Sequence, residues 1–279
     1  MSTSEIAYRA GWRVVRWLPE PVAYALFRLI ADTVTKRRGR LVQQLERNLA
    51  RAVNEPQRAV KFGMRSYLEY WCEAFRLPDW SAERIVSSVK THREHVFAEG
   101  IARGGVVAAL PHMGNWDHAG AWASLVHKQV VSVAERLKPD GVFEEFLRYR
   151  QALGMEILAH DDPHVLSTLA DRLTHGGLVA LLADRDMSKR GIPVTLLGEA
   201  TTFPAGPLRL AQSTGATFIP VSLWRESHIL HIYFHDPIDT SNIDRAAQDL
   251  ADVFSTAIKS HPHEWHVLQR VFLADRRKA

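Results

Sequence analysis

The sequence predicts an α/β fold with a mainly parallel central sheet covered by helices on both faces, and an N-terminal helical extension. Three observations carry this expectation. Two continuous apolar runs, Gly104–Leu110 (GGVVAAL) and Gly177–Ala183 (GLVALLA), follow glycines and have the character of strands buried on both sides. Around them, segments of helical spacing alternate with short apolar runs, as in a parallel sheet wound with helices. Residues 4–88, by contrast, read as mostly helical.

In the extension, apolar residues recur at helical spacing at Leu41, Leu45, Leu49 and Val53, then at Val60, Met64, Leu68, Trp71 and Phe75. Pro19, Pro21, Pro56 and Pro78 punctuate it. Past residue 91 the texture changes. Strands are expected at 104–110, 130–134, 157–158, 177–183, 218–224 and 229–234. Helices are expected at 115–127, 139–153, 163–174, 205–214 and 244–259. No internal repeat and no Pro/Gly/Ser linker divides the chain. It reads as one domain, 1–279, with residues 1–88 as the extension and 89–279 as the core.

Composition narrows the class. The chain has 279 residues, 46% hydrophobic and 24% charged, which excludes disorder or low complexity as a description of the whole. One cysteine, Cys72, excludes an internal disulfide and a cysteine-based zinc site. No secretory signal and no membrane-spanning run are expected, because Arg9, Arg13, Arg16 and Arg28 interrupt the apolar stretches near the start. Charge is uneven. Residues 1–65 carry 13 Lys+Arg against 5 Asp+Glu, and the other 214 residues net −4. Trp12 and Trp17 interleave with Arg13 and Arg16, and Lys36, Arg37, Arg38 and Arg40 add to the field. This combination suits a lipid headgroup layer; two packing helices with a solvated basic face account for it equally. No nucleic-acid-binding signature occurs.

Chemistry concentrates at two strand ends. Pro111-His112-Met113-Gly114-Asn115-Trp116-Asp117 sits where the first apolar run meets the next helix, the carboxyl end of a strand, where open α/β sheets hold their sites. His112 is a candidate general base. Gly114 and the helix start are candidate backbone N–H donors for an oxyanion. A structural histidine, with Asp117 placed to favour the helix dipole, is the competing reading. Asp184-Arg185-Asp186 follows the second run. Either Asp117 or a carboxylate of this second group is available to orient His112, and nearby arginines suit an anionic substrate. Gly-x-Ser-x-Gly, the P-loop and Gly-x-Gly-x-x-Gly are absent, and the 14 histidines form no metal-ligating pattern, so no metal is expected.

Taken together, these motifs resemble the bacterial acyltransferases of the lauroyl/myristoyl, late lipid A type. The resemblance runs over nearly the whole chain, from Ala10-Gly11-Trp12-Arg13 through Arg47-Asn48-Leu49-Ala50-Arg51 and Tyr70-Trp71-Cys72-Glu73. It is densest at Ala109 to Gly120. Gly198-Glu199-Ala200-Thr201 is a further match, and Glu135-Arg136-Leu137-Lys138-Pro139 and Trp265-His266-Val267-Leu268-Gln269 narrow the resemblance to the actinobacterial members that acylate phosphatidylinositol mannosides. The His-x4-Asp element, here His112 to Asp117, implies the reaction class. The resemblance implies that His112 is the base and that an acidic residue at the second strand end orients it. Asp184 occupies that position, where the family member in view has Glu. Whether Asp117 or Asp184 is the partner stays open at this level.

Further expectations follow from the resemblance. Arg150 is a candidate for substrate binding, with Asn115, Arg136, Lys138 and Arg185 beside it. Arg148 and Lys189 are further candidates for a basic entrance, and Trp71, Phe75, Trp116 and Trp122 for an apolar tunnel. The expected partners are a fatty acyl-CoA as co-substrate, with no other cofactor, an anionic mannosylated phosphoinositide lipid and the inner membrane surface. The expected location is peripheral, on the cytoplasmic face of the plasma membrane.

Overall fold

The computed structural model describes residues 11–136, 140–188 and 190–276. A seven-stranded sheet has the order β1-β9-β8-β2-β5-β3-β4. Its strands are β1 (Val89–His92), β2 (Val106–Leu110), β3 (Val130–Ala134), β4 (Glu156–Ala159), β5 (Leu178–Leu182), β8 (Thr217–Glu226) and β9 (Ile229–Phe234). From β8 through β2, β5 and β3 to β4 every pairing is parallel. Only β9 is antiparallel to β8, and β1 runs parallel to β9. The mainly parallel expectation holds for this reason: the central strands are joined through helices, while β8 and β9 are joined by a tight turn.

The helices are α1 (Glu20–Arg37), α2 (Arg40–Leu49), α3 (Pro56–Arg76), α4 (Ala82–Ser87), α5 (Glu94–Arg103), α6 (Trp116–Val126), α7 (Asp140–Ala152), α8 (Val165–Thr174), α9 (Gly206–Thr214), α10 (Ile243–Ser260) and α11 (Leu273–Arg276). Residues 11–17 are also helical, and residues 4–10 of the expected helical extension lie outside the described residues. Every residue of β2 is buried, which is why that strand reads as a continuous apolar run. Side chains alternate across the sheet. Val107 and Ala109 enter the core formed with α8, α9 and α10, and Val106, Ala108 and Leu110 enter the core beneath α6. The helix α3 joins the two layers, since Val60 and Met64 pack in the first and Tyr70 and Ala74 in the second.

The sequence reading lacked β1, α5, α11 and an antiparallel hairpin of β6 (Ile192–Leu196) and β7 (Glu199–Phe203). The hairpin carried a readable signal. Ile192, Val194 and Leu196 are buried while Pro193 and Thr195 are exposed, a period of two. Leu197 and Gly198 both have positive φ, as its tight turn requires.

The candidate active site

Register builds the site. Leu110 of β2 is paired with Leu182 of β5, and the Ala183 N–H still donates to the Leu110 carbonyl at 2.8 Å. Two residues past each strand end stand His112 and Asp184, so the parallel pairing carries both into one crevice. The His112 ring meets Asp184 through Nδ1, 2.5 Å from Oδ1, and the His112 backbone N–H donates to Oδ2 at 2.9 Å. The indole N–H of Trp265 donates to the same Oδ2 at 2.8 Å. The Asp184 side chain is fully buried, whereas 21% of the His112 side chain is exposed. Burial alone would raise the Asp184 carboxyl. The His112 charge, the His112 ring, the Trp265 indole and the His112 amide outweigh it and hold the group below the usual carboxylate range. With Nδ1 donating to a carboxylate, Nε2 is left as the basic nitrogen.

Asp117 lies elsewhere. Its carboxylate is buried and accepts from Arg150 Nε at 2.7 Å and from the Tyr70 hydroxyl at 3.0 Å. Arg150 itself is mostly buried. Burial lowers its pKa, but the neighbouring Asp117 outweighs this and holds the guanidinium above its ordinary value. Four residues separate His112 from Asp117, yet the chain turns through Gly114 and enters α6 with the carboxylate facing Arg150. Gly114 has φ +58°, and a Cβ there would stand 2.8 Å from Leu223 Cβ, so only glycine fits this turn.

Asn115 caps α6, its Oδ1 accepting from the His118 N–H at 3.0 Å, while its Nδ2 donates to Glu73 Oε2 at 2.8 Å. Both ends of this side chain are therefore engaged by protein. Glu73 also accepts from the Tyr24 hydroxyl at 2.8 Å and from Arg225, which reaches Glu69 at 3.1 Å. The network fixes the start of α6 against α3. Tyr70, Glu73 and Arg225 were missed by the sequence reading. No local spacing marks them, because their partners come from distant segments.

The Gly114 N–H, expected as an oxyanion donor, is instead spent on the Glu264 carbonyl at 3.1 Å. Arg136 pairs with Asp161 at 2.9 Å, Arg148 with Glu145 at 3.0 Å, and Arg185 Nη2 donates to Met187 Sδ at 2.9 Å and lies 3.7 Å from Glu135. Lys138 and Lys189 lie outside the described residues. Trp71 and Phe75 pack together in an aromatic cluster with their rings 5.8 Å apart, rather than lining the cavity under α6.

Trp116 and Trp122 do line it. This partly open cavity of about 100 Å³ is bounded mainly by apolar groups. Its floor follows from register. Ala108 pairs with Ala180, and Ser132, one residue beyond the Val131–Val179 pair, stands level with them and donates to the Ala180 carbonyl at 2.7 Å. Three small side chains in a row across β2, β5 and β3 leave a transverse trough. Gly120 of α6 lets Met155 pack directly against the helix at the cavity wall, for a Cβ there would stand 2.5 Å from Met155 Sδ. Leu110, Trp116, Asp117 and Arg150 line the same cavity, and the Trp116 ring is 5.7 Å from that of His112.

A part-exposed histidine backed by a buried aspartate at parallel strand ends, beside an apolar trough, suits a base acting on an alcohol next to a long hydrocarbon chain. Residues 3–274 match the sequence profile of the bacterial lipid A biosynthesis acyltransferase family, and the chain belongs to that family. It is an acyltransferase. Among curated proteins it is similar to a phosphatidylinositol mannoside acyltransferase of Mycolicibacterium smegmatis, 39% identical over 98% of this chain and 92% of that protein. It is likewise similar to the protein of the same name from Mycobacterium tuberculosis, 37% identical over 98% of this chain and 90% of the relative.

Proposed function

We propose that this acyltransferase moves a fatty acyl group from acyl-CoA to a mannose hydroxyl of a phosphatidylinositol mannoside, with His112 as general base. The observation that carries this reading is the His112–Asp184 pair, which keeps the ring in the tautomer whose Nε2 accepts a proton. The sugar oxygen attacks the thioester carbon while its proton passes to His112 Nε2. The tetrahedral intermediate then expels the coenzyme thiolate, which takes that proton back. Asp184 orients His112 and stabilises the transient imidazolium. Asp117 acts as a structural partner of Arg150. The substrate named for both relatives supports the acceptor assignment.

The trough under α6 suits the acyl chain, since each buried CH₂ contributes about 0.8 kcal/mol. On this reading Ala180→Leu fills the trough. The preferred donor then shortens by about two or more carbons, and kcat/KM for the longest donors falls by about tenfold. Rates across a series of acyl-CoA chain lengths check this, and an unchanged profile would remove the trough from the acyl path.

The N-terminal helices support action at a lipid surface. Val22, Leu26, Leu29, Ile30 and Val34 form an exposed stripe along α1 at helical spacing, and Trp17 is 92% exposed. Exposed Lys36, Arg37, Arg38 and Arg40 follow at the end of α1. Trp12 differs from Trp17, as its indole N–H donates to the Phe75 carbonyl at 2.8 Å and its ring packs on Phe75. No helix among the described residues is long and apolar enough to cross a membrane.

The direct experiment measures acyl-CoA consumption with and without a mannosylated phosphoinositide. The reading expects consumption to depend on that acceptor and to yield an acylated lipid. Equal consumption without it would instead make the protein a thioesterase, with water as acceptor.

A further inference from the structure

The residues Glu264, Trp265 and His266 stand far from both halves of the site in sequence, yet they touch each half. The His266 N–H donates to the His112 carbonyl at 2.8 Å, and the Glu264 carbonyl accepts from the Gly114 N–H at 3.1 Å. Between them Met113 and Trp265 form an isolated antiparallel bridge. The strap therefore clamps the backbone on both sides of Met113, directly after His112. From its centre the Trp265 side chain reaches past the loop to Asp184 Oδ2.

We propose that Trp265 is a positioning residue for the reaction, its indole N–H fixing Asp184 so that Oδ1 faces His112 Nδ1. The proposal rests on the reading of His112 as the base.

The geometry leaves the carboxylate little freedom to rotate. Asp184 accepts three hydrogen bonds, two on Oδ2 and one on Oδ1. The two donors on Oδ2 come from different segments, the loop after β2 and the strap, and together they define the carboxylate plane. Without the indole, the anchor left on Oδ2 among the described residues is the amide of His112, the residue that is to be oriented. Trp265 is itself fully buried, packed in the core with its ring 6.4 Å from that of Phe272, so the donor is held rigidly. A buried indole spends its single polar atom on a partner, and here that partner is the carboxylate behind the base. Neighbouring His266 is excluded as an alternative base. Burial first, then the charges of Arg225 and His112, push it down to about 3, and its Nε2 is engaged by Ser66 at 2.9 Å.

The test replaces Trp265 with Phe, which keeps an aromatic ring in the core and removes the donor. The expected result is a kcat lowered by about tenfold, the scale of one lost hydrogen bond to a charged group, with KM unchanged. In an Asp184→Asn background the same replacement is expected to cost less than about twofold, because the two residues act as a unit. A spectroscopic reading needs no change at Trp265. In protein carrying ¹⁵N-labelled tryptophan, the Trp265 indole proton signal should move upfield on Asp184→Asn. An unchanged kcat in Trp265→Phe, an undiminished further loss in the Asp184→Asn background, or an unmoved indole signal would each overturn the proposal. Should Trp265→Phe fail to fold, the indole signal decides alone. Failure of the underlying reading is distinct, for it shows as retained transfer in His112→Ala.

Discussion

His112→Ala is expected to lower acyl transfer by about ten-thousandfold, the upper end of what a positioned general base contributes. The substitution also has a structural consequence that must be separated from the chemical one. Asp184 would remain buried with only the Trp265 indole and the backbone amide of residue 112 as donors. A buried charge that loses a partner costs about 1–3 kcal/mol, so the alanine variant should be folded but less stable. His112→Asn resolves the two effects. Its side-chain amide can donate to Asp184 from nearly the position of Nδ1, yet it cannot take a proton. Chemical denaturation should find His112→Asn closer to the parent than His112→Ala, while both are equally inactive in an acyl-transfer assay. Transfer retained in either variant would exclude His112 as the base.

Asp184→Asn carries the second-largest expected effect, a loss of kcat on the order of a thousandfold. The amide is isosteric but neutral. It no longer stabilises the imidazolium that forms as the sugar proton is taken, and it can hold the ring in the wrong tautomer. The carboxylate is suited to this task, because its hydrogen-bonding surroundings hold it below the ordinary carboxylate range. Asp186, two residues on, supplies the internal control. Its carboxylate accepts from the Ser188 N–H at 2.9 Å and from the Thr202 hydroxyl at 3.2 Å, with no contact to His112. Asp186→Asn should therefore leave kcat within a few-fold of the parent, about the scale of one neutral hydrogen bond. Equal, small effects of the two substitutions would remove Asp184 from the site.

Much of this architecture was readable from residue order, and particular elements explain why. The runs ending at Leu110 and Ala183 are apolar because their strands are covered on both faces, so burial writes itself directly into composition. Asn115 to His127 reads as a helix because its apolar positions have helical period and an asparagine stands at the cap. The loss of β1 and α5 has an equally local cause. β1 is a four-residue edge strand without a buried side chain among its members, so it lacks the apolar signal that marks the central strands. At the site, the sequence placed His112 and Asp184 at strand ends but left two carboxylates competing for one imidazole. Asp117 is nearer along the chain, and proximity in sequence favours it. The turn at Gly114 and the buried Arg150 draw it away.

The order of residues alone determined the helix and strand texture, the basic helical extension and the two acidic or basic strand ends, because each is a property of a short window of chain. Only the tertiary structure decided that β2 and β5 are neighbours, that Asp184 rather than Asp117 meets His112, and that Trp265 stands behind them. These contacts join residues 72 and 81 positions apart. Sheet register and core packing fix such separations, and no local periodicity encodes them.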